Sequence, residues 1–272
     1  MMRALYTAAS GMIAEQTNVD TIANNLSNVN TTGFKAERTE FKSLLYQTIQ
    51  TRTTSANGDQ RPVGAQVGLG TRVAATTSLY KQGPLNQTEN ETDFALDGNG
   101  FFRVSGVNGE EFYTRSGNFS WSIAADGTTM LTTKQGYPVL DRNGNTITVP
   151  QGVSAQKMVF QDTGEIGYYD ADGAYQPLNQ YFGVYQFNNP AGLEKLSNSL
   201  LRATNASGNP MQEGTTAGLQ TSKICQKFLE ASSVSVADEM VNMIVAQRAY
   251  ELNSKAITTA DSMLDTANNL KR

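Results

Sequence analysis

Residues 233–257 read SVSVADEMVNMIVAQRAYELNSKAI, and no glycine or proline interrupts the chain from there to Arg272. Without helix breakers the local outcome is one long helix. Ser235 followed three residues later by Asp238 makes a capping-box-like start, and Asp238 and Glu239 suit the positive end of the helix dipole. Lys271 and Arg272 suit the other end. At about 100° per residue, Val241, Val245, Ala249, Leu252, Ala256, Met263, Ala267 and Leu270 share one broad face. Met243, Tyr250, Ile257 and Leu264, spaced by sevens, form a second stripe on roughly the opposite side. Arg248, Glu251 and Lys255 lie between the stripes, with Glu251 and Lys255 at a favourable spacing. A partner helix within the chain can cover one stripe, so the second needs another partner. Ile257 and Leu264 are assigned to that second partner.

The other end of the chain supplies the first partner. Leu5, Met12, Val19 and Leu26 recur every seven residues, with Ala8 and Ile22 between them, which predicts an amphipathic helix with a coiled-coil-like seam. Its only charges up to Asn30 are Arg3, Glu15 and Asp20. So little charge predicts a helix packed on more than one side. The stop is expected at Asn28-Val29-Asn30-Thr31-Thr32-Gly33, where Asn tolerates and Gly favours the left-handed conformation.

Between the helices the punctuation changes. All seven prolines lie from Pro62 to Pro210, and aromatic residues are dense between Phe94 and Phe187. Asp97-Gly98-Asn99-Gly100, Val107-Asn108-Gly109, Ala125-Asp126-Gly127, Arg142-Asn143-Gly144 and Asp172-Gly173 separate β-branched and aromatic runs, as in an antiparallel sandwich or barrel. Thr48 to Gly70 shows no periodicity and reads as an extended connector or long loop. The fold class is therefore α+β: a coiled-coil-like helical domain built from both ends, with an all-β sandwich- or barrel-like domain inserted between. The expected divisions are 1–35 for the first helix, 36–80 for the connector, 81–219 for the β domain and 220–272 for the last helix.

Composition closes several functional classes. Histidine is absent and Cys225 is the only cysteine, which removes internal disulfides, Ser-His and Cys-His catalysis and the usual zinc ligand sets. No catalytic, cofactor or metal residue is assigned. A net charge of −4 without a basic cluster argues against nucleic acid as a partner. No apolar run approaches a membrane span. The start, MMRALYTAASGMIAEQ, lacks the apolar core of a secretory signal, so export without one is expected. Charged residues are 17% of the chain against roughly 25% in soluble domains, a sign of surface reserved for partners.

Other motifs have plain readings. Gly98-Asn99-Gly100 is expected to be a tight hairpin rather than a nucleotide loop, because no glycine-opened helix follows. Asp170-Ala171-Asp172-Gly173 is a turn, its glycine falling too early for a calcium loop. The Asn-x-Ser/Thr triplets at Asn30, Asn86, Asn90, Asn118 and Asn205 are chance matches in an Asn/Thr/Ser-rich chain. Cys225 reads as a small packing residue.

IANNLSNVNTTGFKAE, residues 22–37, closely resembles the N-terminal signature of flagellar rod and hook proteins, and residues 233–257 resemble their C-terminal signature. ALDGNGFFRV (95–104) and YTRSGNF (113–119) are similar to the family's central β domain. FKSLLYQTIQ (41–50) with GAQVGLGTRV (64–73) is most like the distal-rod members; proximal-rod and hook subunits are the alternative within the family. An adhesin or hydrolase would need a signal peptide and a convergent polar site, and the sequence displays neither.

The resemblance implies a structural subunit rather than an enzyme. It would leave the cell through the flagellar type III export apparatus and stack into a helical tube outside the cytoplasmic membrane, transmitting torque from motor to hook. Its implied partners are copies of itself, proximal-rod and hook or hook-junction proteins along the axis, and outer bushing rings. Contacts between subunits are expected at Leu5, Met12, Val19, Leu26, Val241, Met243 and Val245. On the same helix Tyr250, Leu252, Ile257, Met263 and Leu264 complete the set.

Overall fold

The computed structural model describes residues 2–50, 64–106, 109–124, 126–170, 173–216 and 218–270. Lys271 and Arg272, assigned above to the helix end, residues 51–63 of the expected connector, and Val107, Asn108, Ala125, Ala171 and Asp172 of the expected turns lie outside them. The architecture is α+β, with a helix at each end and strands between. It divides into two compact units: Met1–Ser27, Glu37–Ser78 and Ser235–Arg272 make one, Asn28–Ala36 and Leu79–Val234 the other.

The first, helical unit contains α1 (Met2–Ser27) and α2 (Val236–Asn269). Ser235 caps α2, its side chain accepting from the Asp238 backbone N–H at 3.5 Å, as the sequence indicated. The helices run antiparallel: Asn25 of α1 bonds Glu239 near the start of α2, while Gly11 faces Asn253 farther along. A side chain at Gly11 would come within 2.8 Å of the Asn253 amide, so this glycine marks a close approach. The seam is built of small residues, with Ala8, Ala14, Ala246 and Ala260 buried.

The described part of the stretch read as an extended connector or long loop forms a ribbon. Glu37–Ser43 pairs antiparallel with Thr71–Ser78, and Tyr46–Gln50 with Ala65–Gly68. All five residues of Tyr46–Gln50 are exposed, which leaves no inside–outside alternation for a sequence reading to find. The ribbon docks along α1, where Thr39 Oγ1 donates to Thr21 Oγ1 at 2.9 Å and the Thr71 N–H reaches Ser10 Oγ at 3.4 Å. So α1 is covered on two sides, in keeping with its low charge.

The second, β unit holds the large core. Its main sheet has six antiparallel strands in the order Glu194–Lys195, Leu200–Arg202, Glu111–Thr114, Phe101–Ser105, Val184–Gln186, Met211–Gln212. Successive strand residues face opposite ways, so Phe101 and Phe102 enter different clusters. Phe102 joins Phe94, Phe119, Phe160 and Phe182; Phe101 joins Tyr113, Tyr185 and Phe187. The β unit also extends past Leu219, through the short strands Lys223–Gln226 and Phe228–Glu230. They pair with Phe94–Asp97 and Leu85–Gln87 and are too short to carry a visible period.

The expected hairpin at residues 98–100 is not one. Phe94–Asp97 pairs with Lys223–Gln226, and Phe101–Ser105 with strands of the six-stranded sheet, so the turn passes the chain between sheets. What shapes it is Arg115, whose guanidinium donates to the carbonyls of Leu96 at 3.1 Å, Gly98 at 2.6 Å and also Gly100. Glu165–Tyr169 and Tyr175–Tyr181 pair as a hairpin with Gly173 at φ +76, while Ala171 and Asp172 of the expected turn lie outside the described residues. At the end of α1, Gly33 has φ +69, but the helix has already stopped at Ser27. Gly33 is instead required by a close approach, since a Cβ there would lie 2.9 Å from the Arg115 backbone.

Arg115 belongs to a buried ion cluster. Its Nε donates to Glu230 Oε2 at 2.6 Å, and Lys35 Nζ donates to Glu230 Oε1 at 2.6 Å. The Gly83 N–H adds a third donor at 2.8 Å, and Lys35 also reaches the Lys81 carbonyl at 2.8 Å. Burial pulls the Lys35 ammonium below its ordinary pKa, against the pull of Glu230. Removing one partner of such a cluster strands charge in a dry site. Glu230→Ala is expected to lower the stability of the β unit by about 3–5 kcal/mol. The exposed Arg202–Glu194 pair is the control: Glu194→Ala should leave the stability close to the parent's. Denaturant melts of the two variants check the contrast, and equal losses would contradict it.

Candidate subunit interface

A helix can bury a stripe only against something. The expected contacts Leu5, Met12, Val19 and Leu26 are half-buried in α1, with Val19 beside Gln247 and Tyr250 of α2. On α2, Met243, Ile257 and Leu264 are half-buried on the side of Ala246 and Ala260. Tyr250 on that stripe is 44% exposed. The stripe assigned above to a neighbouring subunit is thus the one turned towards α1. The opposite stripe is open: Val241, Val245, Leu252 and Met263 are all exposed, Leu252 at 66%. Small residues decide this, because Ala246 and Ala260 let the backbones approach on the Met243 side.

More apolar surface is open than the sequence pattern indicated. Met240 and Ile244 flank the exposed α2 stripe, and Met2, Tyr6 and Ile13 form an exposed face on α1. The ribbon adds Phe41, Leu45, Tyr46, Ile49, Val67 and Leu69, Leu45 at 82%. Among the described residues, eighteen of the twenty-one large exposed apolar side chains belong to the helical unit; Leu79, Ile123 and Tyr169 are the other three. Among its described residues the helical unit in turn buries one large aliphatic side chain, Ile22. Met2, Tyr6 and Ile13 lie outside the seven-residue seam, so reading for the seam passed over them. Exposed apolar side chains clustered on one unit are characteristic of surfaces that meet partners, and burying each Val, Leu, Ile or Met is worth about 1.5–3 kcal/mol.

Polar groups fix the geometry of that surface. Asn25 is buried, and its amide reads the Glu37 backbone in both directions, donating to the carbonyl at 2.8 Å and accepting from the N–H at 2.8 Å. Its Nδ2 also reaches Glu239 Oε1 at 3.2 Å, so one side chain ties α1, the ribbon and α2. Partial burial pushes the Glu239 carboxyl above its ordinary pKa, opposed by the bond from Asn25. In the β unit, the Glu213 carboxylate accepts from the Ser222 N–H at 2.6 Å, Ser222 Oγ at 2.7 Å and Gln186 Nε2 at 2.7 Å. Ser222 Oγ in turn accepts from the Gly100 N–H at 3.0 Å, so this carboxylate holds the turn at residues 98–100. Cys225 is half-buried on its strand, and burial pushes its thiol up. Among the described residues no helix is long and apolar enough to cross a membrane.

Comparison with known proteins matches the same segments. Residues 5–35 match the family described as Flagella basal body rod protein, and 226–270 match Flagellar basal body rod FlgEFG protein C-terminal. Residues 95–168 match Flagellar hook protein FlgE/F/G D1 domain. Over its whole length the chain is 45% identical to the full length of a flagellar basal-body rod protein FlgG from Borreliella burgdorferi. It is 40% identical over 99% of its length to the full length of one from Agrobacterium fabrum. With one from Bacillus subtilis it shares 38% identity, all of both chains covered.

Glu239 gives the helix pairing a pH dependence. Its folded pKa lies above its ordinary value of 4.5, so between the two values the folded chain binds more protons than the unfolded one. Stability is therefore lost as pH rises through that window. Glu239→Gln keeps an acceptor for Asn25 and removes the charge. The variant should pair its helices at least as well as the parent at neutral pH, with the advantage vanishing as pH falls towards 4.5. Far-UV circular dichroism melts across that range measure it, and an advantage growing on acidification would contradict the assignment.

Proposed function

The chain belongs to the FlgG family of flagellar basal-body rod proteins, and we propose that it polymerises through its helical unit into the distal rod, which carries torque from motor to hook. It is a structural subunit of the flagellum. The observation that carries the mechanism is the division of apolar surface, open on the helical unit and closed in the β unit. Copies meeting through the Val241–Leu252–Met263 stripe, the Tyr6–Ile13 face and the ribbon bury what a single chain cannot. A contact between unlike surfaces repeats without closing and grows a filament.

In this reading the half-buried stripe at Ile257 and Leu264 forms a coiled-coil-like pair within the subunit, and the exposed stripe joins subunits. The β unit, with its own core, faces outward. Export proceeds through the flagellar type III apparatus, and the rod ends against proximal-rod and hook proteins. Nothing in this role requires catalysis.

Leu252→Asp should abolish rod assembly while leaving β-unit melting and monomer helicity unchanged, because an unpaired carboxylate at a repeated apolar contact costs several kcal/mol each time. Ile257→Asp should instead weaken helix pairing within the monomer. Electron microscopy of isolated basal bodies with antibody label reads both assembly and position. Normal rods from Leu252→Asp would refute the interface, and label on the bent hook alone would refute the distal placement.

A further inference from the structure

An asparagine loses its side-chain amide most readily when glycine follows it. The glycine nitrogen has no side chain beside it to hinder attack on the asparagine Cγ. The chain has four such pairs, beginning at Asn57, Asn99, Asn108 and Asn143, of which Asn57 and Asn108 lie outside the described residues. Asn99 and Asn143 are both exposed, so neither sequence nor exposure separates them. The turns that hold them do.

Gly100, after Asn99, is buried, and its N–H is donated to Ser222 Oγ at 3.0 Å. The Arg115 guanidinium holds the carbonyls of Leu96, Gly98 and Gly100. A Cβ at Gly100 would overlap Val184 Cγ1 and lie 2.7 Å from Glu213 Oε1, so the backbone there has no room to close into a ring. Freeing this N–H disturbs the Arg115 and Glu213 clusters together, an opening close to unfolding of the β unit. Gly144, after Asn143, is in a different setting. Its N–H meets the Asp141 carbonyl at 3.2 Å, and its φ is +90. A Cβ there would come no nearer than 3.5 Å to Arg103 Nη2, an ordinary contact. This turn can open locally while the Leu140–Thr146 bridge at its base stays paired.

We propose that Asn143 is a site of spontaneous deamidation in the folded chain, and that the Ser222 and Arg115 contacts shield Asn99 from the same reaction. The Gly144 nitrogen, having given its proton to a base in solution, attacks Asn143 Cγ and forms a C–N bond. The Cγ–Nδ2 bond breaks, and Nδ2 takes up a proton and leaves as ammonia. Water then opens the succinimide ring at either carbonyl, giving aspartate or isoaspartate with no change of oxidation state. Isoaspartate lengthens the backbone by one methylene group. Asp141 Oδ1, which accepts from the N–H groups of Asn143 at 2.8 Å and Asn145 at 2.7 Å, loses that fit. The site belongs to the β unit and does not depend on assembly.

The test incubates the full chain in mildly alkaline buffer, folded and in denaturant, and maps its peptides by mass spectrometry. Enzymatic methylation of the isoaspartyl carboxyl group reads the second product. In the folded chain Asn143 should react at least about tenfold faster than Asn99. In denaturant, where the neighbours no longer matter, the two should react at similar rates. Ser222→Ala should raise the rate at Asn99 about fivefold and leave that at Asn143 unchanged. Equal rates at Asn99 and Asn143 in the folded chain would overturn the proposal. So would an Asn143 that stays intact when folded while the denatured chain reacts. A folded Ser222→Ala chain with an unchanged rate at Asn99 would overturn the shielding, and if that variant does not fold, the parent's folded and denatured rates decide.

Discussion

Glu230 accepts from Lys35, Arg115 and Gly83 in a site almost closed to water. Around that carboxylate the β unit is tied together from distant parts of the chain. Its own carbonyl accepts from the Gly33 N–H at 2.8 Å, so the segments that continue into α1 and into α2 are joined to each other here. Arg115 spends its remaining donors on the turn at residues 98–100, and Glu213 holds the same turn through Ser222. Buried charges of this kind are costly to desolvate, and an apolar replacement could be as stable. What the cluster adds is a single permitted arrangement, since each donor has one geometry that satisfies it.

With Glu230 paired to Lys35 and Arg115 and Phe94, Phe102 and Phe182 enclosed, the β unit has a closed core of its own. The helical unit is not. Its seam of alanines and one glycine brings α1 and α2 close but buries little area, and the ribbon covers α1 without closing over its own apolar residues. Ordering a long helix costs about 1–2 kcal/mol per residue in backbone entropy, which a thin alanine seam offsets poorly. In the proposed assembly, further apolar burial comes from other copies, and the property that leaves the unit marginal alone makes it the polymerisation element. The comparisons place the chain among proteins named for the flagellar rod.

Much of this was legible in the residues. The absence of Gly and Pro after Gly218 gave α2, and Ser235 with Asp238 gave its start. The two stripes of α2 were visible, but which one faces α1 was not. Burial on the Met243 side is decided by Ala246 and Ala260, and alanine weighs little in a hydrophobic pattern. The ribbon escaped notice because Tyr46–Gln50 is exposed on both faces and Glu37–Ser43 buries only Thr39, so neither strand shows an apolar alternation. The turn at residues 98–100 looked like a hairpin because adjacent β runs flank it. Its true partners, Arg115 and Ser222, lie far off in sequence. Glu230 and Lys35 carry no local signature: a lone glutamate before a helix reads as surface until a fold brings two cations to it.

In the proposed assembly the β unit closes its own core while the helical unit is finished only by other copies. Amide hydrogen exchange on the dilute chain and on assembled rods tests it most directly. Protection in the six-stranded sheet should be the same in both states. Amides of α1 and α2 should exchange quickly in the dilute chain and become strongly protected in the rod. Helices protected equally in the two states would contradict the account, because the exposed apolar stripe would then contribute nothing to their order.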